Sequence, residues 1–263
     1  MMKIKDVVDA LEKFAPLPLQ EEYDNSGLQV GLTETELSGA LLCLDVSEAV
    51  IQEAVNRGCN MIISHHPLLF HPLKSVNADS YIGRCVIEAV KNGITVYSAH
   101  TNLDNADNGV NFKIAEKLGL AGISRMNANN GGSGTGIVGY LKEPMCESAF
   151  LKFISSIFAA PCINHNSLSG KKIHKVAVCG GSGASFIQDA ISAKADAFVT
   201  GEIGYHHFFG VEGVILLVET GHYESEQYTV DLLHSYLTRV FPSARIEKTN
   251  MVTNPIKYYL SNN

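Results

Sequence analysis

The chain has 263 residues, 46% of them hydrophobic and 18% charged, which is enough to build one large domain or two of ordinary size around a substantial core. Its 27 acidic residues outnumber 20 basic ones for a net charge of −7, without any Lys/Arg block, so the overall field repels phosphate backbones and argues against a nucleic-acid partner. No apolar run reaches the roughly 18–20 residues that a bilayer span needs, so no membrane helix is expected.

Residues 1–14 place Val7, Val8 and Leu11 on one stripe and predict an amphipathic helix; they lack the apolar centre and cleavage site of a signal peptide. The six cysteines, at 43, 59, 85, 146, 162 and 179, are dispersed and form no C-x-x-C. Most sit in apolar segments, which predicts buried reduced thiols in a cytoplasmic protein rather than disulfides or a zinc knuckle. Next comes Asp24-Asn25-Ser26-Gly27, which taken alone reads as a surface turn, followed by a short strand through Leu28 and Val30.

From residue 40 the pattern becomes regular. Residues 40–45 read as a buried strand, Ser47 caps a helix carrying Val50, Ile51, Ala54 and Val55, and Gly58 closes it. Residues 61–64 form the next strand, 79–92 a helix, 94–97 a third strand and 110–118 another helix. Short apolar strands alternating with amphipathic helices predict an α/β fold: a mostly parallel sheet with helices on both faces, in three layers. In such sheets ligands gather beyond the carboxyl ends of the strands. Asp45 ends the first strand, His65-His66 follow the second, and His100-Thr101-Asn102-Leu103-Asp104 follows the third, so all three clusters are expected at one rim.

The glycine- and asparagine-rich stretch 126–135 is the strongest compositional break and predicts a domain boundary. The division expected is residues 1–125 plus 220–263 as a metal-site α/β domain and 126–219 as a second, smaller α/β domain. Within the latter, strands are predicted at 136–141, 175–179, 196–200 and 214–218, with a helix at 146–158. The turn Gly180-Gly181-Ser182-Gly183 leads from a strand into a helix; it is either a tight structural turn or a cradle of N–H groups for an anion. It matches neither a Walker A loop nor a full G-x-G-x-x-G. After Gly221-His222-Tyr223-Glu224-Ser225-Glu226, residues 227–240 predict a helix. If that helix begins near His222, then His222 and Glu226 stand one turn apart on one face, a chelating pair, with Glu224 pointing away. Short β-like stretches at 245–247 and 257–260 close the chain.

The candidate site is therefore His65, His66, Asp104, His222 and Glu226, with His100 nearby and His206-His207 as a weaker pair of the same type. Adjacent residues at a strand end splay apart, so His65 and His66 suit two neighbouring ions better than one. Asp104 and His222 can each complete one side, and a Glu carboxylate can bridge. Two divalent ions against one Asp and one Glu leave a positive surplus, which would acidify a bridging water to a metal-bound hydroxide and attract an anionic group. The mixed N/O set suits Zn, Mn, Fe, Co or Ni without choosing among them. His71, His165, His174 and His234 lack a second ligand at useful spacing and read as ordinary surface or core histidines.

In this order the chain carries Asp24-Asn25-Ser26-Gly27-Leu28-Gln29-Val30-Gly31, Ser64-His65-His66-Pro67, His100-Thr101-Asn102-Leu103-Asp104, Gly180-Gly181-Ser182-Gly183-Ala184-Ser185-Phe186, Thr200-Gly201-Glu202 and Gly221-His222-Tyr223-Glu224-Ser225-Glu226. The series resembles the GTP cyclohydrolase 1 type 2 homologue family, also called the NIF-three-like proteins, over nearly the whole chain. The resemblance implies a dinuclear metal site in which His65, His66, Asp104 and His222 are terminal ligands and Glu226 bridges. It also implies two interlinked α/β domains and a homohexameric ring whose metal sites face an internal cavity. The mid-chain span is too short for the large inserted domain that some members carry, so the compact form is expected. Tyr23 stands where many members have tryptophan. The family name implies ring opening of GTP, yet nothing in the sequence reads as a guanine pocket. Two functions are therefore expected in turn: a metal-dependent hydrolase of a small nucleotide-like or phosphorylated substrate, or a non-catalytic metal-binding ring acting through protein or DNA partners.

Overall fold

A computed structural model describes residues 2–126 and 135–259. Helix α1 (Ile4–Phe14) buries Ile4, Val7, Val8 and Leu11, the stripe that its periodicity predicts. The turn after it leads into β1 (Gly27–Val30), then β2 (Ala40–Cys43), α2 (Glu48–Asn56), β3 (Met61–Ser64), α3 (Tyr81–Lys91), β4 (Thr95–Ser98) and the single turn α4 (Thr101–Asp104). Helices α2 and α3 each start on a serine. Ser47 Oγ accepts the Val50 N–H and Ser80 Oγ the Gly83 N–H, each satisfying a donor that the first turn leaves without a partner.

The chain continues through α5 (Val110–Lys117), β5 (Ala121–Arg125), β6 (Ile137–Cys146), α6 (Glu147–Phe158), β7 (Asn164–His165), β8 (Lys172–Cys179), α7 (Ile187–Ser192), β9 (Ala197–Thr200), β10 (Leu216–Glu219) and α8 (His222–Glu226). It closes with α9 (Thr229–Val240) and β11 (Ile246–Lys248). Residues 257–259, expected to be β-like, form no strand; Leu260 and most of the glycine-rich stretch, residues 127–134, lie outside the described residues.

Two compact units result, each entered twice by the chain. One comprises Met1–Asp107 and Thr229–Thr253, the other Asn108–Tyr228 and Asn254–Asn263. The sequence reading divides the chain at 125/126 and 219/220. The structural division falls elsewhere because α5 packs on β6 and β8, β5 is hydrogen-bonded to β6, and α8 packs against α5. His222 and Glu226 therefore belong to the second unit. Among the described residues no third, inserted domain is present, and the fold is the compact α/β form.

The first unit's sheet runs β1-β4-β3-β2-β11, parallel except for β1, which pairs antiparallel with β4. Every residue of β2, β3 and β4 is buried, as in a sheet covered on both faces. Alternation sends Leu41, Cys43, Ile62 and Val96 to the cluster formed with Val50, Ile51 and Ala54 of α2 and Cys85 and Ala89 of α3. Leu42, Ile63 and Tyr97 take the opposite face, the side on which α9 covers β2. Each such aliphatic side chain contributes roughly 1.5–3 kcal/mol on burial.

The second unit's sheet, β5-β6-β8-β9-β10-β7, is mixed: β8, β9 and β10 are parallel, while β5, β6 and β7 are antiparallel to their neighbours. The parallel core β8-β9-β10 keeps the α/β pattern, with antiparallel strands added at its flanks. The βαβ rhythm exposes only the parallel strands, whereas β5 and β7 are edges whose largely exposed residues show no strand period. Ala177, Cys179, Phe198 and Leu217 pack against Ile187 and Ala190 of α7. All six cysteines are free thiols, and only Cys146 and Cys162 are exposed. No helix among the described residues is long and apolar enough to cross a membrane.

One polar contact anchors this unit's loops. Glu147, the first residue of α6, accepts hydrogen bonds from the Ser169 N–H (3.0 Å), the Ser169 hydroxyl (2.9 Å) and the Gly170 N–H (2.8 Å). Burial alone would raise its carboxyl; the three donors, helped by the Lys171 charge, outweigh that and hold it below the ordinary glutamate value. A group whose folded pKa is depressed stabilises above its unfolded pKa, about 4.3, and loses that contribution as pH falls through the folded value. Glu147→Gln is therefore expected to cost about 1–3 kcal/mol at pH 7. The melting-temperature gap from wild type should close as pH drops from 5 toward 3; a pH-independent gap would refute the charge-based account.

Candidate metal centre

The first unit builds a cluster of imidazoles at the carboxyl edge of its sheet. Beyond Ser64 the strand register continues for two residues: the His65 N–H donates to Cys43 O (3.3 Å) and the His66 N–H to Leu44 O (3.0 Å). The Ser64 hydroxyl donates to His66 O (2.8 Å), tightening the exit from the strand. Each ring is then fixed from behind. His65, fully buried, has Nδ1 2.8 Å from Ala99 O. A carbonyl oxygen only accepts, so Nδ1 carries the proton and Nε2 bears the lone pair a metal would take. His66 Nδ1 lies 2.7 Å from Asp45 Oδ1, and His100 Nδ1 lies 2.7 Å from Asp24 Oδ1.

The three rings converge. Their centroids are 5.0 Å (His65–His66), 5.3 Å (His65–His100) and 5.5 Å (His66–His100) apart. A ring nitrogen from each lies within 4.8 Å of the other two. Asp104, one helical turn after His100, brings Oδ1 to 3.7 Å from His65 Nε2. Imidazoles oriented through Nδ1 by carbonyl or carboxylate, with a carboxylate alongside, form a donor set and outer layer that suit a transition-metal ion. His100 thus stands in one group with His65 and His66, and Asp104 in reach of His65.

The outer carboxylates are themselves held. Asp24, whose side chain is fully buried, accepts from the Thr101 N–H (3.1 Å), the Ser26 hydroxyl (2.8 Å) and the Thr101 hydroxyl. Burial pushes its carboxyl up, but the His100 hydrogen bond and charge, with these hydroxyls, outweigh it and hold Asp24 well below the usual range. Asp45 shows the same balance at smaller amplitude, with His66 and Thr253 as partners; Thr253 donates to Asp45 Oδ2 at 2.6 Å. The segment expected to be a surface turn is therefore the support of an imidazole. Its signal was present as an acidic residue in the Asp-Asn-Ser-Gly run, but nothing local says that Asp24 folds inward onto a histidine 76 residues away.

The second unit carries the other pair. Helix α8 does begin at His222, and His222 Nε2 lies 3.1 Å from Glu226 Oε2, one turn on. His222 Nδ1 lies 3.2 Å from Glu202 Oε1, so the residue after Thr200-Gly201 steadies this ring as Asp24 and Asp45 steady theirs. Glu224 points elsewhere, as its spacing predicts; it is buried and accepts from Asn254 Nδ2 (3.0 Å) and the Tyr258 hydroxyl (3.3 Å).

The glycine turn before α7 serves α8 rather than an anion. The Gly180 N–H donates to Asn111 Oδ1 (2.9 Å), the Gly181 N–H to Ser225 Oγ (3.0 Å) and the Gly183 N–H to Thr200 Oγ1 (3.0 Å). Three donors that could have cradled a phosphate are taken by side chains, and one of them, Ser225, lies between His222 and Glu226. The tight-turn reading holds. His206 and His207 fall in a short 3₁₀ turn, Tyr205–Phe208, and join no metal-ligating group among the described residues; neither do His71, His165, His174 and His234.

The chain is similar to known proteins over most of its length. The model of the family described as Duf34/NIF3 (NGG1p interacting factor 3) matches residues 2–255. The chain is 34% identical over 240 residues to the GTP cyclohydrolase 1 type 2 homolog of Clostridium acetobutylicum, covering 90% of each chain. It is 32% identical over 211 residues to NIF3-like protein 1 of Drosophila melanogaster, covering 78% of this chain and 70% of that one. Among solved structures, a hypothetical protein of Staphylococcus aureus superposes with a TM-score of 0.92 at 28% identity, over 98% of this chain and 99% of the other.

Proposed function

The chain belongs to the Duf34/NIF3 family, and on that premise we propose that it is a dinuclear metal-dependent hydrolase of a small nucleotide-like or phosphorylated substrate. In this reading His65, His66, Asp104 and His222 are terminal ligands of two divalent ions and Glu226 bridges them. The observation that supports it most is the set of three imidazoles, His65, His66 and His100, each fixed through Nδ1 and each with a ring nitrogen within 4.8 Å of the other two. Such outer-layer order is the feature of metal sites that isolated surface histidines lack.

When bound, a pair of divalent ions supplies Lewis acidity toward an anionic substrate group and lowers the pKa of a water between them. The chain's own residues do the rest. Asp45 and Asp24 keep the protons of His66 and His100 on Nδ1, and the Ala99 carbonyl does so for His65. Glu202 steadies His222, and the glycine turn seats the helix on which Glu226 rides. The reading includes a homohexameric ring in the cytoplasm with the sites facing an internal cavity.

The test is elemental analysis of the purified protein together with its mass in solution, followed by turnover of a panel of nucleotides and phosphoesters before and after metal stripping. About two ions per chain, a hexameric mass and turnover that vanishes on stripping and returns with added metal are expected. Native protein without metal, or full turnover after stripping, would overturn the reading.

A further inference from the structure

The second unit contains a groove of about 740 Å³ that the metal reading leaves unused. This volume falls in the range of small-molecule sites. It lies where the parallel strands β9 and β10 end, the edge at which open α/β sheets gather ligands. Glu219, the last residue of β10, lines it; so do Asn164 on the facing strand β7, and Tyr205, Phe208, Phe209 and Glu212 from the segment that joins β9 to β10.

Its chemistry is one-sided. Two carboxylates line it, and its lining includes neither lysine nor arginine. The half-buried Glu219 carboxylate already takes hydrogen bonds from the Asn164 side chain and the Ile203 N–H. Two carboxylate oxygens offer about four lone-pair positions, so acceptor capacity is left over. Burial, reinforced by the charge of Glu202, holds the Glu219 carboxyl above the ordinary glutamate value, as expected of a carboxylate short of positive partners. The aromatic wall is equally incomplete. Tyr205 and Phe209 are 72% and 60% exposed, edge to face with centroids 5.4 Å apart, and so leave aromatic surface open to whatever enters.

We propose that this groove binds a guanidinium-bearing ligand, held by paired N–H···O bonds to the Glu219 carboxylate and by its planar cation stacking on one ring of the Tyr205–Phe209 pair, with the other ring at its edge. A guanidinium matches both surfaces at once. Its fork of donors fits a carboxylate bidentately, and its weakly hydrated plane stacks on aromatic faces; an ammonium, compact and strongly hydrated, does neither as well. An anion is disfavoured by Glu212 and Glu219, and a purely apolar ligand would leave the Glu219 carboxylate desolvated without gain. The site needs no ion from the metal centre, which makes its test independent of that reading.

The experiment is calorimetric titration of metal-stripped protein at low salt with agmatine, with cadaverine as the ammonium comparator and a short arginine-containing peptide as the alternative source of the same cation. Agmatine should bind once per chain, on the order of tenfold more tightly than cadaverine, and more weakly as salt rises. Glu219→Gln should weaken agmatine about tenfold or more, and Tyr205→Ala and Phe209→Ala about threefold each, with metal content of the native variants unchanged. Tighter binding of the peptide than of agmatine would assign the cation to a protein side chain and support the same chemistry. The proposal falls if agmatine and cadaverine bind equally, if Glu219→Gln has no effect, or if guanosine displaces agmatine at lower concentration than arginine does. It falls too if agmatine fails to bind; a lower oligomer mass for Tyr205→Ala would then mark the rings as a subunit contact.

Discussion

Glu226→Ala is expected to abolish metal retention while the chain stays folded. The Glu226 side chain is only 4% exposed and its Oε2 lies 3.1 Å from His222 Nε2, so the carboxylate is held at a ligating position. Losing an outer-layer partner typically lowers metal affinity 10–100-fold. Losing a carboxylate proposed to bridge both ions should exceed that, and the ion count should fall from about two per chain to none. The metal-stripped forms supply the control. Without ions the ring paired with Glu226 is His222, which is about a third exposed and keeps Glu202 as a second partner, so removing the carboxylate strands no buried charge and should leave the apo melting temperature within a few degrees of wild type. His65→Ala should behave alike in metal loss. Elemental analysis and thermal melts of both forms decide the matter: a Glu226→Ala protein that still holds two ions removes this residue from the centre.

Gly181→Ala is expected to damage stability and the metal pair together. Gly181 has φ +62°, where an L residue costs roughly 1–2 kcal/mol. A Cβ there would also sit 2.3 Å from Glu226 Oε1 and 3.3 Å from His222 Nε2. Overpacking of this kind adds on the order of 1–3 kcal/mol. At about 2–4 °C per kcal/mol for a chain of this size, the melting temperature should drop on the order of 5–15 °C. Gly119→Ala separates the two terms: Gly119 has φ +63° and no atom within 4 Å of its would-be Cβ, so it carries the backbone cost alone. Metal affinity should fall in Gly181→Ala and hold in Gly119→Ala. Equal behaviour of the two variants would mean that the turn shapes the backbone without shaping the site.

The parts of this protein that were legible in the sequence are those governed by local periodicity. The serine cap at Ser47, the buried strands β2, β3 and β4, and the pairing of His222 with Glu226 all follow from spacings within one or two turns. The antiparallel edges β5 and β7 were not legible, because a largely exposed edge has no alternation of buried and exposed residues to betray it. Among the supporting residues the same divide holds. Asp45 could be placed at a strand end, but its use as the anchor of His66, and its own anchoring by Thr253, join positions 21 and 208 residues away.

By itself the sequence determined the α/β class, the order of the strands with buried periodicity and the residues able to ligate a metal, because each of these rests on side-chain chemistry and short-range repeat. Only the tertiary structure decided which histidine nitrogen turns toward the cluster, that His100 joins it, and that the glycine turn seats Glu226 instead of a phosphate. Those outcomes depend on which acceptor stands behind each ring and which side chain takes each N–H, and such partners meet only when distant segments fold together.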